Sequence, residues 1–163
     1  MTRITPCLWF NNNGEEAANF YAATFPDSSV DAVNRAPADY PSGKAGDVLT
    51  VEFTVLGMKF VALNGGPIFK FDEALSLMVH TRDQAETDRY WEAIVGNGGR
   101  ESACGWCQDK FGLSWQITPE VLLTMMTDTS DPAASKRAME AMMTMRKIDI
   151  AKLEAAWAGE AVD

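Results

Sequence analysis

The sequence predicts an α+β fold in which two copies of a strand–helix–strands module are followed by a helical extension. Three observations predict it. Displaced by 70 residues, the chain meets itself: Leu8-Trp9-Phe10-Asn11 falls on Met78-Val79-His80-Thr81, Glu16 on Glu86, Phe20-Tyr21 on Tyr90-Trp91, and Ala23 on Ala93. Within each copy, short runs alternate apolar and polar residues, and one longer run repeats its apolar residues at helical spacing. Beyond Pro119 the strand pattern stops, and Met125, Met126, Met139, Met142, Met143 and Met145 gather on a helical pattern.

The elements follow in order. Residues 4–10 are short and apolar, a strand, and Asn11-Asn12-Asn13-Gly14 is its turn. Asn13 is placed to cap a helix over 15–24, with Glu15 and Glu16 near its positive end. Residues 29–34 form a second strand; 35–47, with Pro37, Pro41, Gly43 and Gly46, form a loop. From 48 to 56, Leu49, Val51, Phe53 and Val55 share one face and Thr50, Glu52 and Thr54 the other. Leu56-Gly57 turns this strand into 60–64, and Gly65-Gly66-Pro67 ends it. In the second copy, 74–81 is a strand, 84–95 a helix closed by Gly96, 104–110 an irregular or hairpin segment, and 113–118 the last strand. A short helix over 121–126 and one long helix from Ser130-Asp131-Pro132 to Trp157 complete the chain. The Met-rich helix serves packing first; as a second reading it docks a partner.

Composition narrows the classes. The chain has 163 residues and a formal charge of −9, with no run of Lys or Arg, so neither nucleic acid nor a membrane is expected as a partner. No apolar stretch approaches the ~20 residues of a membrane span, and residues 1–6 show no secretory signal. Three cysteines without an export signal point to a reducing, cytoplasmic setting.

Particular segments carry a family likeness: Ile4-Thr5-Pro6, Glu16-Ala17, Phe20-Tyr21, Val51-Glu52-Phe53-Thr54, Ala62-Leu63-Asn64-Gly65-Gly66-Pro67 and Phe69-Lys70-Phe71. More specific are Asp88-Arg89-Tyr90-Trp91, Cys104-Gly105-Trp106, Gly112-Leu113-Ser114-Trp115-Gln116-Ile117 and Lys147-Ile148-Asp149-Ile150. On these the chain resembles the PhnB-like group, labelled 3-demethylubiquinone-9 3-methyltransferase-like, of the vicinal oxygen chelate (glyoxalase and bleomycin-resistance) superfamily. The resemblance implies one PhnB-like domain over 1–163: βαβββ modules at about 1–68 and 69–118, a helical extension over 119–163, a concave sheet around a cleft, and a homodimer.

Metal-dependent members of that superfamily place His, Gln or Glu on four cleft-facing strand positions, which fall here near Pro6, Ala62, Ser76 and Gln116. A divalent site needs three or four His, Cys, Asp or Glu ligands, and the chain has one histidine, His80. No metal is therefore expected there, a site built from Glu52, His80, Gln116 and a water being the lesser reading, and no cofactor is expected. Leu75, Leu77 and Val79 suit the face under the helix, which sends Ser76, Met78 and His80 into the cleft. The 70-residue displacement then sends Pro6, Leu8 and Phe10 there, and alternation adds Phe60, Ala62, Asn64, Ser114, Gln116 and Thr118.

The expected function is metal-free binding of a small organic molecule. Phe10, Phe60, Met78 and Trp106 supply apolar contact; Asn64 and Gln116 orient polar groups, together with Glu52 and His80. The alternative is an enzyme with Glu52 or His80 as general base, abstracting a proton beside a carbonyl. Methyl transfer lacks its motif: Gly96-Asn97-Gly98-Gly99 follows a helix and precedes a strand, the reverse of a nucleotide loop. Cys104-Gly105-Trp106-Cys107 has dithiol spacing but precedes a strand, so Cys107 is expected to pack, not to react.

Overall fold

The computed structural model describes residues 2–160. Met1 of the first expected module and 161–163 of the expected extension lie outside the described residues. The chain divides into two compact units, Met1–Phe71 and Asp72–Asp163.

The first unit runs β1 (Cys7–Phe10), α1 (Gly14–Thr24), β2 (Ser29–Arg35), β3 (Val48–Val55) and β4 (Met58–Asn64). Its sheet has the order β1-β4-β3-β2, with β1 parallel to β4 and the remaining pairs antiparallel. The β3–β4 hairpin closes on Leu56 and Gly57, both at positive φ (49° and 78°). That pair matches the twist of the strands it joins. One face of the sheet lies under α1. Tyr21 of the helix sits 6.0 Å, ring to ring, from Phe53, which stacks on Phe60 at 5.3 Å.

The start of α1 is held from across the sheet. Asn13 makes no side-chain cap. Asn64 Oδ1 instead accepts from the Gly14 N–H at 2.9 Å, and its Nδ2 donates to the Val48 carbonyl at 2.8 Å. A Cβ on Gly14 would stand 2.8 Å from Asn64 Oδ1 and 3.0 Å from Ala62 Cβ, so only glycine lets the helix end approach this closely. Asn64→Ala orphans the buried Gly14 N–H and the half-buried Val48 carbonyl; the expected loss is about 2 kcal/mol. Urea unfolding checks it, and an unchanged midpoint contradicts the cap.

The second unit repeats the connectivity: β5 (Ser76–Thr81), α2 (Gln84–Val95), β6 (Arg100–Glu101), β7 (Trp106–Gln108) and β8 (Ser114–Pro119), in the order β5-β8-β7-β6 with β5 parallel to β8. Two βαβββ modules are thus present. Asp83 caps α2 by accepting from the Glu86 N–H at 2.8 Å, while Glu86 accepts from the Arg82 N–H, a reciprocal pair that fixes the turn.

One spacing differs between the copies. The strand-to-helix turn is residues 11–13 in the first unit but 82–83 in the second. The helices therefore align at a displacement of 70, with Ala17 and Thr87 buried alike, as are Tyr21 and Trp91. The strands align at 71, with Leu8 matching Val79.

Beyond β8, the single long helix expected from 130 to 157 is two: α4 (Pro132–Met143) and α5 (Ile150–Ala158), preceded by α3 (Glu120–Thr127). The break has a tertiary cause. The carbonyls of Met145 and Arg146 accept from the N–H groups of Cys104 and Gly105 at 2.8 and 2.7 Å, and Asp149 restarts the helix by accepting from Lys152 N–H. Leu122, Met125, Ala138, Met145, Ile148 and Leu153 form a core among these helices. Met125 and Met145 thus serve packing, whereas Met139 and Met143 are exposed. Gln84 of α2 clamps the extension, donating to the Ile148 carbonyl and accepting from the Ile150 N–H. No helix among the described residues is long and apolar enough to cross a membrane.

Candidate functional site on the open face of the second sheet

Every second side chain of the second sheet points away from α2. The helix side is fixed by two contacts: Thr81 shares a 2.6 Å hydrogen bond with Thr87, and Trp91 Nε1 donates to Glu101. Val79, Cys107, Trp115 and Ile117 belong to that buried side. The register puts the alternate residues in rows on the open side: Ser76 beside Ser114, Met78 beside Gln116, His80 beside Thr118, Trp106 beside Gln116, and Gln108 beside Ser114 and Arg100. Met78, His80, Trp106 and Gln116 therefore share one surface. Met78 and His80 are exposed, and Trp106 and Gln116 half-buried. Gln116 Nε2 donates to Ser76 Oγ at 2.9 Å, which pins the amide beside the methionine.

Next to Trp106 the surface sinks into a cavity of about 290 Å³. Glu73, Arg100, Ser102, Trp106, Gln108 and Ser114 are among its lining residues. Gln108 organises it. Its Oε1 accepts from Arg100 Nε at 2.7 Å, and its Nε2 donates to Glu73 Oε1 at 3.1 Å and to Ser114 Oγ at 3.3 Å. Sequence reasoning passed over Glu73, Arg100 and Gln108. Gln108 was within reach, two residues from Trp106 on the same strand face. A two-residue strand such as β6 has no periodicity that could have flagged Arg100.

The first unit requires a correction. Phe10, Phe60 and Asn64 were expected on the open face, but they lie on the α1 side of their sheet. Phe10 pairs with Asn64 in register, Phe60 stacks on Phe53 beneath Tyr21, and Asn64 caps α1. All three are buried, at 2%, 4% and 4% exposure. The longer first turn is the reason: a displacement of 70 carried across it inverts strand parity. Glu52 does stand on that sheet's open side, exposed, with Asn34 Nδ2 at 3.4 Å. On the same side Asp31 accepts from Ser29, Thr54 and Lys59, which holds its carboxyl down at about 2. Glu52 belongs to the first unit, and His80 and Gln116 to the second.

The positions where the resemblance led metal ligands to be expected do not fit a divalent ion. Ala62 is in the core under α1, and Ser76 and Gln116 offer a hydroxyl and an amide already bonded to each other. Among the described residues, no three His, Cys, Asp or Glu side chains come together. Neither strand-to-helix turn fits a Rossmann-type methyl-donor cradle, since residues 11–13 are asparagines and 82–83 are Arg and Asp.

Cys104 and Cys107 are separated by the strand geometry. Cys104 sits at positive φ (59°) before β7, whereas Cys107 points into the core under α2. Burial, then the Asp109 and Glu101 carboxylates, push the Cys107 thiol up to about 12. At neutral pH, iodoacetamide is expected to label Cys107 only after unfolding, as peptide mass spectrometry would show; native labelling contradicts this placement.

Comparison with known proteins agrees with this architecture. The PhnB protein from Bacillus cereus is 31% identical, with a TM-score of 0.64 over 72% of this chain and 99% of that one. Protein PA1353 from Pseudomonas aeruginosa shares the fold at 20% identity, with a TM-score of 0.60 over 73% of this chain and 98% of that one. No curated protein matches the sequence. The family profile described as 3-demethylubiquinone-9 3-methyltransferase matches residues 2–118, both modules but not the helices after them. With that span matched and the PhnB protein aligned over nearly its full length, the chain belongs to the PhnB-like, 3-demethylubiquinone-9 3-methyltransferase family.

Proposed function

We propose that the protein binds a small organic molecule on the open face of its second sheet without a metal ion. One observation carries the reading: Met78, Trp106, His80 and Gln116 share a face that adjoins a polar cavity, in which Gln108 is hydrogen-bonded to Arg100, Glu73 and Ser114. Aromatic and thioether surface supplies contact area, and the pinned Gln116 amide gives direction. Binding is favoured over general-base catalysis because His80 makes no side-chain hydrogen bond among the described residues and Glu52 meets only a 3.4 Å amide contact. A catalytic base is normally held in register by a partner.

Small-molecule mass spectrometry of denatured, freshly purified protein tests the proposal. A copurifying compound is expected from the wild type and lost from the Met78→Glu, Trp106→Ala double variant. Equal recovery from both proteins contradicts it.

A further inference from the structure

We infer that the cavity beside Trp106 takes a small zwitterion of the amino-acid type, its oxyanion on Arg100 and its ammonium on Glu73. The inference rests on the binding proposal and specifies its ligand. Arg100 and Glu73 carry opposite charges and line one cavity, yet they form no ion pair with each other. The Gln108 side chain stands between them, with Arg100 Nε on its oxygen and Glu73 Oε1 on its nitrogen. Gln108 is 8% exposed and is held again by Ser114, so it is a fixed spacer.

Each charge is left with open valences. The terminal NH2 groups of Arg100 and the second oxygen of Glu73 have no partner among the described residues. The guanidinium edge matches a carboxylate or phosphoryl group in two parallel bonds. The free carboxylate oxygen accepts from an ammonium. A ligand carrying both groups completes both ends; one carrying a single charge leaves the other end unmatched. Net charge argues the same way, since a chain at −9 repels a simple anion but not a neutral zwitterion. The volume of about 290 Å³ is close to the lower end of ligand pockets, about 300 Å³. Trp106 offers its ring to the ligand's side chain.

Calorimetric titration of the full chain with the standard free L-amino acids, their N-acetyl forms and their methyl esters tests this. At least one free amino acid is expected to bind saturably at millimolar concentration, and each capped form about tenfold more weakly. Arg100→Leu should abolish the preference for acid over ester and leave that for amine over amide; Glu73→Gln should do the reverse. Both side chains are exposed, so both variants fold. Gln108→Leu keeps both charges but lets them close on each other, and free amino acids should then bind about tenfold more weakly. Free forms that bind no tighter than capped ones, or preferences unmoved by both charge variants, overturn the zwitterion inference. If capped forms still quench Trp106, the binding face stands without it. If no compound in the three sets binds, the inference falls; the copurification experiment then decides the binding face separately.

Discussion

Replacing Asp109 by alanine is expected to destabilise the second unit by about 3 kcal/mol, the largest effect of any single polar side chain in the fold. Asp109 is 4% exposed and shapes the turn between β7 and β8. Its Oδ1 accepts from the N–H groups of Phe111 and Leu113 at 2.9 and 3.1 Å, and its Oδ2 from Trp115 Nε1 at 2.9 Å. Truncation strands these donors, two of them in the interior, at a cost of about 1–3 kcal/mol for each buried group that finds no water. Asp109→Asn keeps one acceptor for the two backbone groups but turns an amide donor toward the indole N–H. It should lose less, about 1–2 kcal/mol. Chemical denaturation read by tryptophan fluorescence checks both, with the midpoint expected to fall and the slope to hold. A wild-type midpoint for Asp109→Ala would contradict this account of the turn.

Ending the chain after Pro119 is expected to loosen the strand that presents Trp106. The extension is fastened to the second unit at several places. It accepts the N–H groups of Cys104 and Gly105, its Lys147 pairs with Asp88 at 2.8 Å, and Gln84 clamps residues 148 and 150. Ile148 lies 3.0 Å from where a Gly105 Cβ would stand, so the chain before β7 is pressed directly against it. Losing two backbone acceptors and this packing amounts to about 3 kcal/mol of local stability, or about a hundredfold faster amide exchange at residues 104 and 105. The Gly14 amide, bonded to Asn64 in the other unit, should exchange at its wild-type rate. Unchanged protection at 104 and 105 would show that the extension is not what holds this segment.

What could be learned from the residues depended on how local the cause was. The alternation of Met78 and His80 against Val79 is set by burial on one side of one strand, and the structure follows it; Leu75, expected on the same buried side, lies before β5 and is exposed. The parity of the first strand does not follow from the second copy, because the turn between its strand and its helix is one residue longer. Asn13 has the chemistry of a cap and the right position, but Asn64 reaches the same helix end from 50 residues away. Nothing between 144 and 149 is a glycine or a proline, so the break between α4 and α5 had no local signal. It exists because distant N–H groups recruit the carbonyls of Met145 and Arg146, a tertiary contact overriding helix propensity. Strand alternation points to Gln116, and the Cys104-Gly105-Trp106 motif to Trp106, and both lie on one face; the Glu73–Gln108–Arg100 chain joins three separate segments and is visible only once β6 and β7 pair.

The most direct test is an NMR titration of chelator-treated protein with a mixed fragment library, following the Met78 methyl, the Trp106 indole N–H, the His80 ring and the Gln116 side-chain amide. These four signals should move together and saturate for the same compounds, with no divalent ion added. Compounds that bind while shifting only residues of the α2 side or the first unit, or shifts that need a divalent ion, would contradict the proposed binding face.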